Sequence, residues 1–157
     1  ASVNATGRRP ARMLDCLVVS YEILDHTADV RIRAFGNDMA GLLRGAVLGM
    51  AGLIADTNNV ECRESVAVEA SGETPEELLV HLLGEVLYLH YTRRLVFRDA
   101  EVEGPDEGTL RAVCKLTGEA YDPARHELGY DIKAVTYHDL KIESAGDGLT
   151  AEIVFDV

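Results

Sequence analysis

The strongest constraint on the fold is a helix start in mid-chain, Thr74-Pro75-Glu76-Glu77, followed by an apolar repeat. Thr74 can accept a hydrogen bond from the backbone three residues on. Proline suits the first helical position because it has no amide hydrogen, and Glu77 can reach back to complete a capping box. Leucine and valine then recur every three or four residues to about Tyr91. We expect this helix, the most apolar of the chain, to lie across the core.

A second helix is predicted over 39–54, where apolar residues also recur every three or four positions and Asp38 can cap the first turn. Its four glycines each cost up to ~1 kcal/mol relative to alanine. This helix must therefore depend on tertiary packing. Small residues would also let it approach a sheet closely.

Short apolar or alternating segments surround both helices, separated by turns rich in glycine, proline and asparagine. The predicted strands are 14–23, 30–34, 66–70, 95–102, 110–117, 130–137, 140–143 and 149–155. The pattern predicts a single α+β domain in which two helices pack on one face of a mostly antiparallel or mixed sheet. We expect residues 1–13 to be a flexible leader and 14–157 to form that domain.

The composition fits one domain of ordinary size, with 157 residues of which 47% are apolar. Cys16, Cys62 and Cys114 are odd in number and have no CxxC spacing. They are expected to be free, buried or half-buried thiols in a reducing compartment, which argues against disulfides and a structural zinc site. No apolar run reaches about 18 residues, and residues 1–13 lack the basic, apolar and small-residue succession of a signal peptide. We therefore expect a soluble cytoplasmic protein with no membrane partner.

The net charge of -12 argues against direct RNA binding, because a protein that grips a phosphate backbone by counterion release needs a basic face. An acidic surface favours small cations or a basic protein partner. A local cluster of lysine and arginine within it stays open as an alternative.

Two carboxylates and an imidazole lie within five residues, at Asp25, His26 and Asp29, where one predicted strand ends and the next begins. Carboxylates in such a connection are available to a cation as hard oxygen ligands. For this pair alone, a solvated turn in which aspartate caps its own backbone is the more common arrangement. His26 can be a general base, a metal ligand or a loop histidine bonded to a carbonyl, and the last is the most common.

The other end of the chain has an apolar strand pattern that runs up to Asp156 and Val157. An aspartate beside a terminal carboxylate brings two negative groups together, and they repel unless a divalent cation or a lysine intervenes. Lys133 and Lys141 are the nearest basic residues in the closing strands. The alternative is a frayed terminus with a solvated aspartate.

A third stretch, residues 133–138, combines strand formers with polar residues. Thr136, Tyr137 and His138 can line a pocket for a phosphate or nucleoside, although such residues are also ordinary in strands. His138-Asp139 resembles the pair of metal phosphohydrolases, but those enzymes gather ligands from helices and this pair lies in a strand region. The chain has no Walker loop, GxGxxG or nucleophile elbow.

The three segments together resemble one family, the archeases. The matching segments are Tyr21-Glu22-Ile23-Leu24-Asp25-His26-Thr27-Ala28-Asp29-Val30, Lys133-Ala134-Val135-Thr136-Tyr137-His138 and Phe155-Asp156-Val157. Archeases are small α+β proteins that act with the RtcB-type RNA ligase, which joins RNA ends in tRNA splicing and RNA repair using GTP and a divalent metal. The residues before Val19 and the glycine-rich first helix depart from the usual family pattern.

The resemblance implies a protein activator that is not itself an enzyme and that promotes guanylylation and multiple turnover of the ligase. It implies that Asp29 and Asp156 bind a divalent metal, calcium, with Val157 contributing backbone or terminal oxygens. A guanine nucleotide would be contacted through the ligase. The first and last strands would then be neighbours. The candidate supporting residues are Asp25, His26, Thr27, Lys133, Thr136 and His138.

Two other functions compete with this one. The first is a metal-dependent enzyme acting on a small nucleotide or phosphorylated substrate, with His26 as base and Asp29 and Asp156 as ligands. The second is a chaperone-like partner of tRNA-modifying enzymes, which needs a docking face and no metal.

Overall fold

A computed structural model describes residues 20–24, 29–106 and 108–157. The predicted leader 1–13 and most of the predicted strand 14–23 lie outside the described residues, as do Asp25, His26 and Thr27. The elements in chain order are β1 (Tyr21–Leu24), β2 (Val30–Gly36), α1 (Met39–Ile54), a 3-10 turn (Thr57–Asn59), β3 (Glu64–Ser71), α2 (Pro75–Arg93), β4 (Leu95–Glu103), β5 (Arg111–Ala120), β6 (Ala134–Thr136), β7 (Glu143–Ala145) and β8 (Gly148–Asp156).

Both predicted helices begin at their predicted caps. The Asp38 carboxylate accepts from the Gly41 amide at 2.8 Å, and the Thr74 hydroxyl accepts from the Glu77 amide at 3.1 Å. The Glu77 carboxylate reaches back one residue further than a capping box requires, to the Glu73 amide at 2.7 Å. Helix α2 ends two residues later than predicted, at Arg93.

The architecture is α+β, as predicted, but the described strands form two sheets where one was expected. In the five-stranded sheet the order is β1-β2-β8-β6, with β7 also paired to β8. The second sheet has three strands in the order β3-β5-β4. All of these pairings are antiparallel.

The two helices join the sheets through one apolar core. Helix α1 contacts β2 of the larger sheet and β4 of the smaller, and α2 contacts β3 and β6. Fully buried side chains of both helices and both sheets, among them Leu42, Leu82, Leu116 and Phe155, belong to a single cluster. Burying apolar side chains of this size contributes about 1.5–3 kcal/mol each.

The glycines of α1 permit the close helix-to-sheet approach that their size suggested. A Cβ at Gly45 would lie 2.5 Å from the Ser20 carbonyl oxygen, and one at Gly49 would lie 2.6 Å from Ile32 Cδ1. The helix therefore packs against β2 at a distance that larger side chains would prevent.

Two strand predictions were wrong in detail. We predicted a buried first strand, but in its described part, β1, Ile23 is 53% exposed, and β1 lies at the edge of the sheet formed by the described strands. The first and last strands are not neighbours either, because β1 pairs with β2 and it is β2 that pairs with β8. The expected proximity therefore holds for the strand that begins directly after Asp29.

Cys62 and Cys114 are free thiols, as predicted, although Cys62 is exposed. Burial raises the pKa of Cys114 to about 12, against the smaller opposing effect of Arg44. Neither helix in the described part of the chain is long and apolar enough to cross a membrane.

Candidate functional site

The pairing of β2 with β8 brings the two predicted metal ligands toward each other. Val30 lies opposite Phe155 at the end of this ladder. Asp29 precedes Val30, and Asp156 follows Phe155, so both aspartates lie one residue from the last pair. Two residues that are far apart in sequence therefore converge at one end of the interior strands β2 and β8. We call this end of the larger sheet the Asp29 edge.

Asp29 lies beside Arg31, an arginine that is also near two other carboxylates. Arg31 Nε is 3.7 Å from Asp29 Oδ1, while its Nη atoms lie 3.4 Å from Glu152 Oε1 and 3.9 Å from Asp139 Oδ2. The side chains of Asp29 and Arg31 are 21% and 15% exposed. One cation thus faces three acids across contacts that are mostly longer than a hydrogen bond.

Glu152 is held more closely by a different arginine. Arg33 Nη2 donates to Glu152 Oε2 at 2.7 Å, and Arg33 Nη1 donates to Glu22 Oε1 at 2.7 Å. The hydrogen bond from Arg33 is the main reason that the pKa of Glu152 falls below its usual value, with Arg31 assisting. Arg33 thus pairs with Glu22 and Glu152, while Arg31 is the arginine that lies next to Asp29.

Asp156 is the exposed last residue of β8, and its backbone is fixed by the neighbouring β6 segment. The Lys133 amide donates to the Asp156 carbonyl oxygen at 2.7 Å, and Ala134 lies opposite Asp156. Among the described residues, none forms a hydrogen bond or ion pair with the Asp156 carboxylate. Its exposed carboxylate can therefore bind a cation at the Asp29 edge.

Neither candidate lysine neutralises Asp156 in this structure. Lys133 Nζ lies 4.0 Å from Asp131, and Lys141 Nζ lies 3.9 Å from Glu143. The alternative in which a lysine relieves the charge at Asp156 therefore has no support among the described contacts.

Thr136 and His138 have local roles in the turn after β6. The Thr136 hydroxyl donates to the Val154 carbonyl at 3.0 Å and accepts from the His138 amide at 3.2 Å. The exposed His138 ring is 3.1 Å from Asp139, whose φ of 54° lies in the left-handed region. Because Asp139 also contacts Arg31, this turn lies near the Asp29 edge. The sequence reasoning did not name Arg31 or Asp139 as site residues, although Arg31 is only two residues from Asp29.

The donor set suits a hard cation in type but is incomplete in number. Asp29 and Asp156 offer carboxylate oxygens, the ligands that calcium prefers, and calcium takes about six to eight oxygens. The described residues contain no group of three or more histidine, cysteine, aspartate or glutamate side chains that could hold a metal ion. Two carboxylates and a Val157 backbone oxygen therefore form at most part of a coordination shell.

A second polar cluster, unrelated to the predicted site, surrounds Glu119 in β5. Glu119 is 5% exposed and accepts from the Glu61 amide at 2.7 Å, from His126 Nε2 at 2.8 Å and from Arg125. Arg63 Nε lies 3.1 Å from its other oxygen. Burial alone would raise the pKa of Glu119, but the hydrogen bonds from Glu61, His126 and Arg125 outweigh it and lower the pKa to about 2.

His126 is locked in one tautomer within this cluster. Its Nδ1 accepts from the Asp122 amide at 2.8 Å, so Nε2 carries the hydrogen that is donated to Glu119. The cluster connects β5 to two loops, and its arginines Arg63 and Arg125 lie on the solvent side of the buried Glu119 carboxylate. No motif signalled it, because Glu61 is 58 residues from Glu119, and Glu119 and His126 have no spacing typical of a known site.

A sequence model of the Archease protein family (MTH1598/TM1083) matches residues 21–157. The chain belongs to the archease family. Among its relatives, the archease of Pyrococcus abyssi is 39% identical over 140 residues, which cover 87% of this chain and 98% of that protein. The archease of Methanosarcina acetivorans is 37% identical over 139 residues, covering 87% and 95%.

Solved structures have the same fold as this archease. The solution structure of protein 1598 of Methanobacterium thermoautotrophicum has a TM-score of 0.74 at 27% identity and covers 88% of this chain and 99% of that one. The crystal structure of a Thermotoga maritima archease, described as a possible chaperone (TM1083), has a TM-score of 0.60 at 24% identity and covers 87% and 96%. At that identity the second likeness concerns the fold alone.

Proposed function

We propose that this archease is a protein activator of a GTP-dependent RtcB-type RNA ligase, that it promotes ligase guanylylation and multiple turnover in tRNA splicing and RNA repair, and that it acts in the cytoplasm. It is not itself an enzyme in this proposal. The observation that carries the proposal is the convergence of Asp29 and Asp156 at the end of the β2–β8 ladder. A site assembled from both ends of a chain, without a nucleophile and base beside it in the described residues, fits a binding role better than catalysis.

The residues that would hold a divalent cation, calcium in this proposal, are Asp29 and Asp156, with a backbone oxygen from Val157. When bound, the ion would supply positive charge that offsets the two carboxylates and coordination positions for an oxygen of the partner. Asp25, His26 and Thr27 precede Asp29 in the chain and would shape the turn that aims its carboxylate. Arg31 competes with a cation for Asp29 because it lies 3.7 Å away.

The charge of the protein fits a basic docking partner. A net charge of -12 favours a protein with a positive surface, and an RNA ligase needs such a surface for its substrate. The archease would dock beside that surface without gripping RNA through its own acidic face. Contact with a guanine nucleotide would then occur through the ligase.

A chaperone-like role is the second candidate, because the Thermotoga maritima relative is described as a possible chaperone. Helix α2 offers an exposed docking feature in Tyr88, which is 64% exposed. A chaperone of RNA-modifying enzymes would use such a face and would not need Asp29 or Asp156. The two candidates therefore differ in their dependence on the carboxylates.

The deciding experiment measures stimulation of the cognate ligase by wild-type archease and by Asp29→Asn and Asp156→Asn. Guanylylation and multiple turnover are followed together with calcium binding by calorimetry. Asp147→Asn is the matched control, because Asp147 is an exposed aspartate in the turn before β8, at the far end of that strand. We expect both site variants to lose calcium binding and stimulation while the control retains both.

Unchanged stimulation by Asp29→Asn and Asp156→Asn would contradict the metal-linked activator. Protection of a client enzyme from aggregation by the same variants would then favour the chaperone role. The enzyme alternative would replace both if the purified protein alone hydrolysed nucleotides at a rate that His26→Ala abolished.

A further inference from the structure

A cavity at the C-terminal end of α2 is lined by aromatic side chains and lies apart from the Asp29 edge. Its volume is about 180 Å³, enough for a single planar ring system. We call it the tyrosine cavity and define it by six of its lining residues, Tyr91, Arg94, Tyr121, Leu128, Tyr130 and Asp131. Tyr91, Leu128 and Tyr130 are each close to half exposed, which is unusual for large apolar side chains that border one space.

The frame of the tyrosine cavity is held by backbone bonds to neighbouring elements. The Gly129 amide donates to the Ile54 carbonyl and the Tyr130 amide to the Leu53 carbonyl, both at 2.8 Å. A Cβ at Gly129 would lie 2.4 Å from the Leu53 oxygen, so this loop fits against the end of α1 only with glycine. The cavity is therefore formed before any ligand arrives.

Side-chain bonds fix the opposite wall. The Tyr91 hydroxyl lies 2.5 Å from Asp131 Oδ1 and 2.6 Å from the Ile132 carbonyl oxygen. Burial and the Asp131 carboxylate raise the pKa of Tyr91 to about 12, so its phenol stays protonated as a donor. The ring of Tyr91 is thereby held at the rim, while Lys133 Nζ lies 4.0 Å from the second oxygen of Asp131.

Arg94 is placed at this cavity by an uncommon backbone conformation. It follows the last residue of α2 with φ 53° and ψ 46°, in the left-handed region where glycine is the usual residue after a helix. Its guanidinium lies 5.7 Å from the centre of the Tyr121 ring. A strained arginine in place of glycine is a reason to look for a function of its side chain.

Arg93 and Arg94 are also exceptional in their charge environment. Within the described part of the chain, their side chains form no ion pair or hydrogen bond. Every other arginine there contacts a carboxylate or a backbone carbonyl, namely Arg31, Arg33, Arg44, Arg63, Arg98, Arg111 and Arg125. In a protein of net charge -12, an uncompensated arginine that lines an aromatic cavity, next in sequence to a second one at the end of α2, favours binding of an anion there.

We propose that the tyrosine cavity binds a nucleotide, either free or as the end of an RNA strand, with its base against the tyrosine rings and its phosphate on Arg94. Tyrosine faces are suitable platforms for any nucleobase, and arginine binds phosphate through its planar array of donors. The second oxygen of Asp131 can accept from an amino or imino hydrogen of the base. A nucleotide has a ring to stack, a phosphate for the arginine and hydrogen-bond donors for the carboxylate.

Two local negative charges would repel a phosphate here, but the positive charge of the two arginines is larger. The C-terminal end of α2 carries a partial negative charge, equivalent to about half an elementary charge, and Asp131 adds one more. Arg93 and Arg94 carry two full positive charges at the same end. The site goes beyond the proposed activator role and does not use Asp29 or Asp156.

The test titrates the full chain with the four nucleoside 5′-monophosphates by calorimetry and with a short 5′-labelled RNA oligonucleotide by fluorescence anisotropy. Saturable binding of either probe supports the site. Equal affinities identify a free nucleotide as the ligand, and much tighter binding of the oligonucleotide identifies the end of an RNA strand. Absence of saturable binding for both probes at millimolar concentration overturns the proposal.

The sharpest variant is Arg94→Gly, because glycine adopts this left-handed backbone readily and should leave the fold as stable or more so. We expect affinity to fall roughly tenfold, and Tyr130→Ala to cause a similar loss by removing a stacking face. Arg111→Gln is the charge-matched control on the exposed face of β5 and should bind as wild type does.

Equal affinity of Arg94→Gly and wild type would overturn the assignment. Loss of ligase binding by Arg94→Gly without any nucleotide binding by wild type would instead identify the cavity as a protein interface. Because Asp29→Asn should bind nucleotide normally, failure of this proposal is distinguishable from failure of the activator role.

Discussion

Two carboxylates of this archease, Glu119 and Asp29, have opposite environments. Glu119 is buried and receives hydrogen bonds from a backbone amide, a histidine and an arginine, so its charge is satisfied within the fold. Asp29 lies 3.7 Å from Arg31, which two further acids share. A carboxylate enclosed by several donors stabilises a structure, whereas one at the end of a strand beside a shared arginine can exchange that arginine for a cation.

The largest expected effect is that of Glu119 on the free energy of unfolding. Glu119→Ala should lower the free energy of unfolding by about 3 kcal/mol, because His126 and Arg125 lose their buried partner. Urea denaturation followed by circular dichroism measures it. Glu64→Ala, an exposed glutamate at the start of β3, is the control and should change stability by less than about 0.5 kcal/mol. Equal effects of the two variants would remove the distinction.

The contribution of Glu119 to the free energy of unfolding should depend on pH in the acid range. The pKa of Glu119 is lowered from 4.5 to about 2 in the folded protein, so its stabilising effect is fully present above 4.5. The effect is lost as the pH falls from there toward 2, because the unfolded state then binds the proton first. The stability difference between wild type and Glu119→Gln should shrink over this interval. A difference that stays constant with pH would show that the charge of Glu119 is not the source of stabilisation.

Asp29→Asn should have the opposite pattern to Glu119→Ala, with a large effect on calcium affinity and a small effect on stability. Its calcium affinity should fall roughly tenfold or more, since an amide replaces a charged ligand. Its free energy of unfolding should change by less than about 1 kcal/mol, as for other partly exposed ion pairs. Calorimetry and urea denaturation of the same samples separate the two quantities. A large stability loss with unchanged calcium affinity would class Asp29 with Glu119.

The smallest expected effect concerns the arginine that adjoins Asp29. Arg31→Ala should raise calcium affinity roughly threefold, because a competing positive charge leaves the ligand carboxylate. Arg33→Ala is the control, since Arg33 bonds to Glu22 and Glu152 on the same face. If both variants raise calcium affinity equally, the cause is the general field of the protein and Arg31 has no special place at Asp29.

Sequence patterns predicted the helices better than the sheets. The start of α2 followed from Thr74, Pro75 and Glu77, because capping depends on contacts within a few residues. The separation of the strands into two sheets, and the shortness of β6, depended on which distant strands pair and were not predicted. The Glu119 cluster was missed for the same reason, since its members come from separate loops and β5.

The sequence by itself determined the α+β composition, both helix caps and, through family resemblance, Asp29 and Asp156 as the candidate ligands. Only the tertiary structure decided that β2, not β1, lies beside β8, and that Arg31 adjoins Asp29. It also decided that Arg94, which has no ion pair with any described residue, lines the tyrosine cavity. Local patterns follow from the geometry of neighbouring residues, whereas the partner of a charge depends on how the whole chain packs.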